Sequence, residues 1–323
     1  MNVESRVLNE LSEERYSSGE VISRKLHITR SAVWKHIVKL RARGYRIEAS
    51  PRRGYRLSSR PDKLLPAEIK PLLNTGIIGS CIFHEDVTGS TIEVARRLID
   101  KGATEGTTVI AEEQTAARGR LGRLWETPAG QAIAMSVILY PPFAPAQAPL
   151  LSLATGLAAA RAVESVCGVR PQLKWPNDIY LGGRKIGGIL VEMAAELDRV
   201  RWVIDSIGIN VNNMFRKASL AARATSLKEQ LGRKVSRLEL TAALISELDT
   251  MYRRAREEGF AATAAEFEQL DMLQGHEIEV SIPGGGGQVT GKAVGIDNNG
   301  RLLVDPGGND VQALFSGEAT LSS

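Results

Sequence analysis

The chain has 323 residues, 43% of them hydrophobic and 24% charged, an ordinary globular balance with room for two or three domains. Two cysteines, Cys81 and Cys167, exclude a disulfide framework and a cysteine-built metal cluster. No signal-peptide core and no apolar run of spanning length is read, so a soluble, cytoplasmic protein that does not engage a membrane is expected. The net charge of +4 is unevenly spread: residues 1–60 hold fourteen Lys+Arg against six Asp+Glu, the remainder 27 against 31. A module of +8 ahead of a body of −4 suggests a nucleic-acid-binding domain joined to something else.

Val3, Val7, Leu8 and Leu11 have helical spacing. Ser17 or Ser18 can cap a second helix that turns Val21, Ile22 and Leu26 inward. Thr29 is a suitable N-cap for a third, with Ala32, Val33, Ile37 and Leu40 inward. Its outer face then shows Arg30, Ser31, Trp34 and Lys35, placed to reach phosphates and base edges. Past Gly44 the period changes. Two short strands flank Ser50–Gly54, and Arg52 and Arg53 sit at the tip of this wing. Residues 1–60 therefore predict a winged helix-turn-helix DNA-binding domain, the alternative being a small basic domain that binds protein.

Pro61, Pro66 and Pro71 mark a boundary near residue 60. Leu64, Leu65, Ile69 and Leu72 suggest one helix, and 81–84 a strand. Ser90 and Thr91 stand at the start of a helix through Val94 and Leu98, as caps or as holders of a polar ligand group. A strand at 107–111 leads to Gln114 and the segment Q-T-A-A-R-G-R-L-G-R-L-W, residues 114–125. Arg118, Gly119, Arg120 and Arg123 make it either a basic surface loop or a loop that folds over an anion. An apolar strand at 132–139 and a buried helix at 150–166 follow.

Residues 174–192 read as a hairpin turning at Gly182-Gly183, with Tyr180 opposite Lys185. Asp178 and Lys185 are then diagonal neighbours roughly 7 Å apart, bracketing a ligand or metal or forming an exposed ion pair. Gly187 and Gly188 allow close backbone approach. Residues 200–211 suggest a strand pair ending beside Asn210, and 212–217 a loop able to close over a ligand or an ordinary turn. A short helix after 224–227 and a longer one over 239–258 come next. From 274 onward the pattern is all strand, with a flexible turn at 284–287, and reads as a small barrel.

In order along the chain, G-S-T at 89–91, Q-x-x-A-R-G-R-x-G-R-x-W at 114–125, K-W-P-N-D at 174–178, R-K-I-G-G-I-L at 184–190, G-I-N-V-N at 208–212 and G-E at 317–318 strongly resemble the biotin protein ligases of the BirA type, in the group that carries an N-terminal DNA-binding domain. The resemblance covers nearly the whole length. It implies a multidomain α/β (α+β) protein: a winged helix-turn-helix over 1–60, a mixed-sheet α+β catalytic domain over 61–273, and an SH3-like β-barrel over 274–323.

It further implies that biotin and ATP, with Mg²⁺, give biotinyl-5′-AMP, and that a lysine of a biotin carboxyl carrier domain then takes the biotin. Lys185, Arg120 and Asp178 match catalytic positions, Asp178 also a metal or acceptor-lysine role. Ser90, Thr91, Gln114, Arg118, Gly119, Arg123, Trp125, Asn177, Gly187, Gly188 and Asn210 match ligand-binding positions. The adenylate is expected to act as co-repressor, promoting a homodimer that binds operator DNA. Two departures stand out. Ala117 replaces the usual glycine, predicting a stiffer loop and altered biotin affinity. Ile92 replaces the usual asparagine. A catalytically silent biotin-sensing regulator and a lipoate or octanoate ligase are the alternatives.

Overall fold

Two compact units divide the chain, one ending at Lys63 and one beginning at Leu64. The computed structural model describes residues 3–196, 199–215, 218–283, 286–308 and 310–322. Arg216 and Lys217 of the expected closing loop, and Gly284 and Gly285 of the expected turn, lie outside them.

The first unit packs α1 (Val3–Asn9), α2 (Gly19–Leu26) and α3 (Arg30–Ala42). Ser18 accepts from the Val21 N–H and Thr29 from the Ala32 N–H, so each cap satisfies an otherwise orphaned donor. Val7, Leu8, Ile22, Leu26, Val33, Ile37 and Leu40 are buried, but Val21 is 55% exposed. Ile22 and Leu26 share a face at i,i+4, which rotates Val21 away from it. The wing is the antiparallel pair β1 (Arg46–Ser50) and β2 (Gly54–Ser59). A short bridge from Ser17 to Tyr55 ties it to the chain before α2.

In the second unit, the expected helix over 64–72 is shorter. Leu64 and Leu65 are buried ahead of α4 (Pro66–Ile69), and a 3₁₀ turn covers 70–72. Then come β3 (Ile82–Thr88), α5 (Thr91–Asp100), β4 (Thr108–Gln114), β5 (Ala132–Leu139) and α6 (Ala148–Cys167). They are followed by β6 (Gln172–Lys174), β7 (Asp178–Leu181), β8 (Arg184–Ala195) and β9 (Val200–Asn210). These strands form one sheet of order β3-β4-β5-β9-β8-β7-β6, parallel only between β3 and β4. Residues 200–210 are thus a single long strand rather than a pair.

Every residue of β5 is buried, as its unbroken apolar run requires in the middle of a covered sheet. One face packs against α6 and against α9 (Arg237–Glu258), which follows the short helices α7 (Ala218–Ala221) and α8 (Leu227–Leu231). The other carries α5, with Val94 and Ala95 on Val109, Ile138 and Ile204. Residues 145–167 are long and apolar enough to cross a membrane, contrary to the sequence expectation, yet 72% of the apolar 18-residue window within them is buried in this body. It is a core helix.

After α10 (Ala261–Glu268), the strands β10 (Glu277–Ser281), β11 (Gln288–Ile296), β12 (Leu302–Asp305), β13 (Gln312–Leu314) and β14 (Glu318–Leu321) make an antiparallel sheet of order β13-β12-β11-β10-β14. Its Ile278, Val280 and Leu302 join the same core as α6, and Trp175 Nε1 donates to the Gly300 carbonyl at 2.9 Å.

Candidate active site

The turn between β7 and β8 is made by Gly182 (φ 57°) and Gly183 (φ 71°), a left-handed pair suited to a two-residue hairpin. Tyr180 pairs with Lys185 as the hairpin predicts, but a register shift next to it pairs Asp178 with Gly188. The expected open bracket is instead closed: Lys185 Nζ lies 2.5 Å from Asp178 Oδ1. A Cβ on Gly188 would stand 3.2 Å from Lys185 Nζ, so glycine there makes space for the ammonium. Gly208, paired with Gly188, does the same for Trp125, whose Nε1 would be 2.6 Å from an added Cβ.

One wall is a hydrogen-bonded polar chain. Gln114 Oε1 accepts from the Thr91 N–H at 2.8 Å and from Thr91 Oγ1 at 3.1 Å. Ser136 Oγ bonds Thr91 Oγ1 and Ser206 Oγ, each at 2.8 Å, and Gln114 Nε2 donates to Thr127 Oγ1 at 3.1 Å. Ser90 is the N-cap of α5, accepting from the Ile92 N–H. Such a fixed network presents donors and acceptors without reorganisation.

Residues 114–125 fold over this floor. Arg120 Nη1 donates to Asn177 Oδ1 at 3.2 Å, and Asn177 Nδ2 to the Ile189 carbonyl at 2.7 Å. Arg123 grips Glu318 with both terminal nitrogens of its guanidinium, Nη1 on Oε1 and Nη2 at 2.6 Å from Oε2. Arg118 turns back to the Gly122 carbonyl at 3.1 Å, and Gly119 N–H bonds the Arg123 carbonyl. Trp125 Nε1 is buried with no partner. Ala117 is buried and lies outside the positive-φ region, so alanine carries no left-handed penalty in this conformation of the loop. The strained position is Leu121, at φ 57° and 62% exposed.

These elements enclose a cavity of about 760 Å³ lined by six cations, Arg118, Arg120, Arg123, Lys174, Lys185 and Arg223, against two carboxylates, Asp178 and Glu318. Burial pulls the pKa of Arg120 and of Lys174 down, opposed by Asp178 and Glu318. Burial pushes the Tyr180 phenol up to about 12. The hydrogen bond to Arg123 holds Glu318 below the usual carboxylate range, and that bond raises Arg123 in turn.

Of the sequence-derived ligand residues, Gly187 and Asn210 do not line the cavity. Asn210 is buried, donating to the Thr225 carbonyl at 3.2 Å and accepting from Asn213. Lys174, Glu318 and Ser206 line the cavity without having been singled out. Lys174 and Glu318 sat inside quoted motifs, which was a usable signal; Ser206 had none. Ile92 and Leu190 supply apolar lining. Among the described residues no three His, Cys, Asp or Glu side chains cluster to hold a metal.

In the first unit, Arg30, Ser31, Trp34 and Lys35 are all exposed along α3. Arg52 and Arg53 are exposed at the wing tip, and Arg53 lies 4.2 Å from the Tyr16 ring centroid.

Comparison with known proteins agrees with this anatomy. Residues 86–212 match the biotin/lipoate A/B protein ligase family, residues 4–56 an HTH domain, and residues 275–321 the biotin protein ligase C-terminal domain. The bifunctional ligase/repressor BirA of Bacillus spizizenii is 39% identical over 90% of this chain and 89% of its own. The biotin–[acetyl-CoA-carboxylase] ligase of Mycobacterium tuberculosis is 35% identical over 69% of this chain and 83% of its own. Among solved structures, the biotin protein ligase of Aquifex aeolicus in complex with biotin and ATP superposes with a TM-score of 0.65 at 29% identity, covering 75% of this chain and 99% of that one. The chain belongs to the family of bifunctional biotin ligase/repressors of the BirA type.

Proposed function

We propose that the cavity activates biotin with ATP and passes it to a lysine of a biotin carboxyl carrier domain, and that the first unit brings the same chain to operator DNA. The enzyme is a biotin–[acetyl-CoA-carboxylase] ligase and the helix-turn-helix unit gives it its repressor arm. The work divides over residues 1–60, 61–273 and 274–323. The carrying observation is the excess of four positive charges in a cavity that also holds a prearranged neutral polar wall. Joining a carboxylate to a triphosphate requires that repulsion be offset where charge develops.

Lys185 is the group placed to touch both anions. Asp178 keeps it oriented and, once the adenylate has formed, is suited to receive the acceptor lysine. Arg120 and Arg123 hold the loop over the product, excluding water from an acyl-adenylate that hydrolyses when exposed. Ser90, Thr91 and Gln114 receive the polar head of biotin, with Ile92 and Leu190 along its chain. Trp125, with its unpaired N–H, packs at the nucleotide, and the backbones of Gly119 and Gly188 permit close approach. Arg118 supplies further positive charge at the rim, and Asn177 steers Arg120. Mg²⁺ needs only one or two protein carboxylates when substrate phosphates carry the rest, and Asp178, which shares its charge with Lys185, would be the carboxylate that holds it. When bound, it offsets phosphate charge. Biotinyl-5′-AMP serves as co-repressor by favouring a homodimer, in the cytoplasm.

Incubating the protein with labelled biotin, ATP, Mg²⁺ and a biotin carrier domain tests this. Label should appear on the carrier. Lipoate transferred in place of biotin would overturn the substrate assignment.

A further inference from the structure

The cations of the cavity differ in what they already hold. Lys185 is paired with Asp178, Arg123 with Glu318, Arg120 with the Asn177 amide, and Arg118 with its own loop. Arg223 is exposed. Among the described residues, Lys174 is the half-buried cation of the cavity without a hydrogen-bonded or ion-paired partner. Its Nζ lies 5.5 Å from the Tyr180 ring centroid, a cation–π contact that leaves the ammonium's three hydrogen-bond donors without an acceptor. An ammonium partly withdrawn from water and left unpaired is costly, and an arriving anion recovers that cost. Burial already depresses its pKa.

Position says which anion. Lys174 ends β6, the edge strand, directly opposite Asp178 on β7, whereas Lys185 sits on β8 one strand further in. In-line displacement at phosphorus puts attacking and leaving oxygens on opposite sides. On the reading above, Lys185 faces the biotin carboxylate and the α-phosphate. The leaving side then falls toward the sheet edge.

We propose that Lys174 binds the pyrophosphate end of ATP and stabilises it as the leaving group, an inference that rests on the ligase reading. A biotin carboxylate oxygen forms the bond to the α-phosphorus, and the bond from that phosphorus to the α,β-bridging oxygen breaks. The electron pair stays on the bridging oxygen, which departs as pyrophosphate while the Lys174 ammonium donates hydrogen bonds and keeps its proton.

The test compares wild type, Lys174→Met and Lys174→Arg in three measurements: the KM for ATP in adenylation, inhibition by inorganic pyrophosphate, and transfer to the carrier domain from supplied biotinyl-5′-AMP. Lys174→Met should raise both the ATP KM and the pyrophosphate inhibition constant by about tenfold or more, while transfer from supplied adenylate stays within about twofold. Lys174→Arg should recover much of the pyrophosphate sensitivity. Unchanged pyrophosphate inhibition, or transfer falling in parallel with adenylation, would overturn the proposal. A wild-type protein unable to adenylate biotin would instead overturn the ligase reading beneath it.

Discussion

Lys185 and Asp178 are held as a pair across the β7–β8 hairpin, where Gly188 leaves space for the ammonium. Lys185→Ala should therefore lower the rate of biotinyl-5′-AMP formation by roughly a hundredfold or more with little change in melting temperature; full adenylation by the variant would remove Lys185 from the chemistry. A second residue has a different signature. Asp205 on β9 is fully buried, accepts from Thr155 Oγ1 at 2.5 Å and leaves Oδ1 unpartnered. Burial raises its pKa from 3.8 to about 7, the Thr155 bond opposing. A raised acid favours the protonated fold, so its contribution is complete below about 3.8, declines as pH rises to about 7 and is flat beyond. Asp205→Asn should raise the melting temperature at pH 8 and leave it nearly unchanged at pH 4. Equal effects at both pH values would show that Asp205 does not titrate this way. At this scale the sequence was only partly legible. Motifs picked out Lys185 and Asp178 because their chemistry is local, but the conformation of Ala117 and the burial of Asp205 depend on how distant segments fold around them.

The arginine loop is tethered by its ends and its middle: Gln114 to Thr91, Arg120 to Asn177, Arg123 to Glu318. The last of these joins the loop to β14. Arg123 and Glu318 are 66% and 45% exposed, so the pair contributes at most about 1 kcal/mol. Glu318→Gln should accordingly speed tryptic cleavage within residues 118–123 only a few-fold, and saturating ATP with biotin should restore protection. A cleavage rate insensitive to Glu318 would mean the latch does not hold the loop. Element boundaries follow the same logic of local against distant causes. Capped helices such as α2 and α3 were readable because Ser18 and Thr29 act within one turn. The three-residue β6 was not, since Leu173 gains its pairing from Asp271 and from β7, remote in sequence. Strand β9 looked like two because Asp205-Ser206 interrupts its apolar run, and the partners of those side chains, Thr155 on α6 and Ser136 on β5, are remote in sequence.

Across the whole molecule, one buried charge junction anchors the start of the second unit. Glu112 Oε1 accepts from the Leu64 N–H at 2.6 Å and meets His84 Nε2 at 3.3 Å, while Oε2 pairs with the fully buried Arg237 at 2.8 Å. Glu112 sits on β4, two residues before Gln114. Although burial alone would raise it, the bond from His84 and the charge of Arg237 hold its pKa below 4.5. Stability from this group is therefore present above about 4.5 and lost as pH falls through its lower folded value. Arg237→Met should destabilise the protein by roughly 3–5 kcal/mol in chemical denaturation, because it strands a buried carboxylate; a loss below about 1 kcal/mol would mean the junction is solvated. In the first unit, Arg52→Ala with Arg53→Ala should weaken DNA binding about equally across sequences and reduce the salt slope by roughly two. No loss of affinity would take the wing off the DNA.

The claim that one cation-lined cavity makes an acyl-adenylate from biotin meets its most direct test in exchange of labelled pyrophosphate into ATP, without any acceptor protein. Exchange should require biotin and collapse in Lys185→Ala. Exchange that ignores biotin, or runs as well with lipoate, would contradict it.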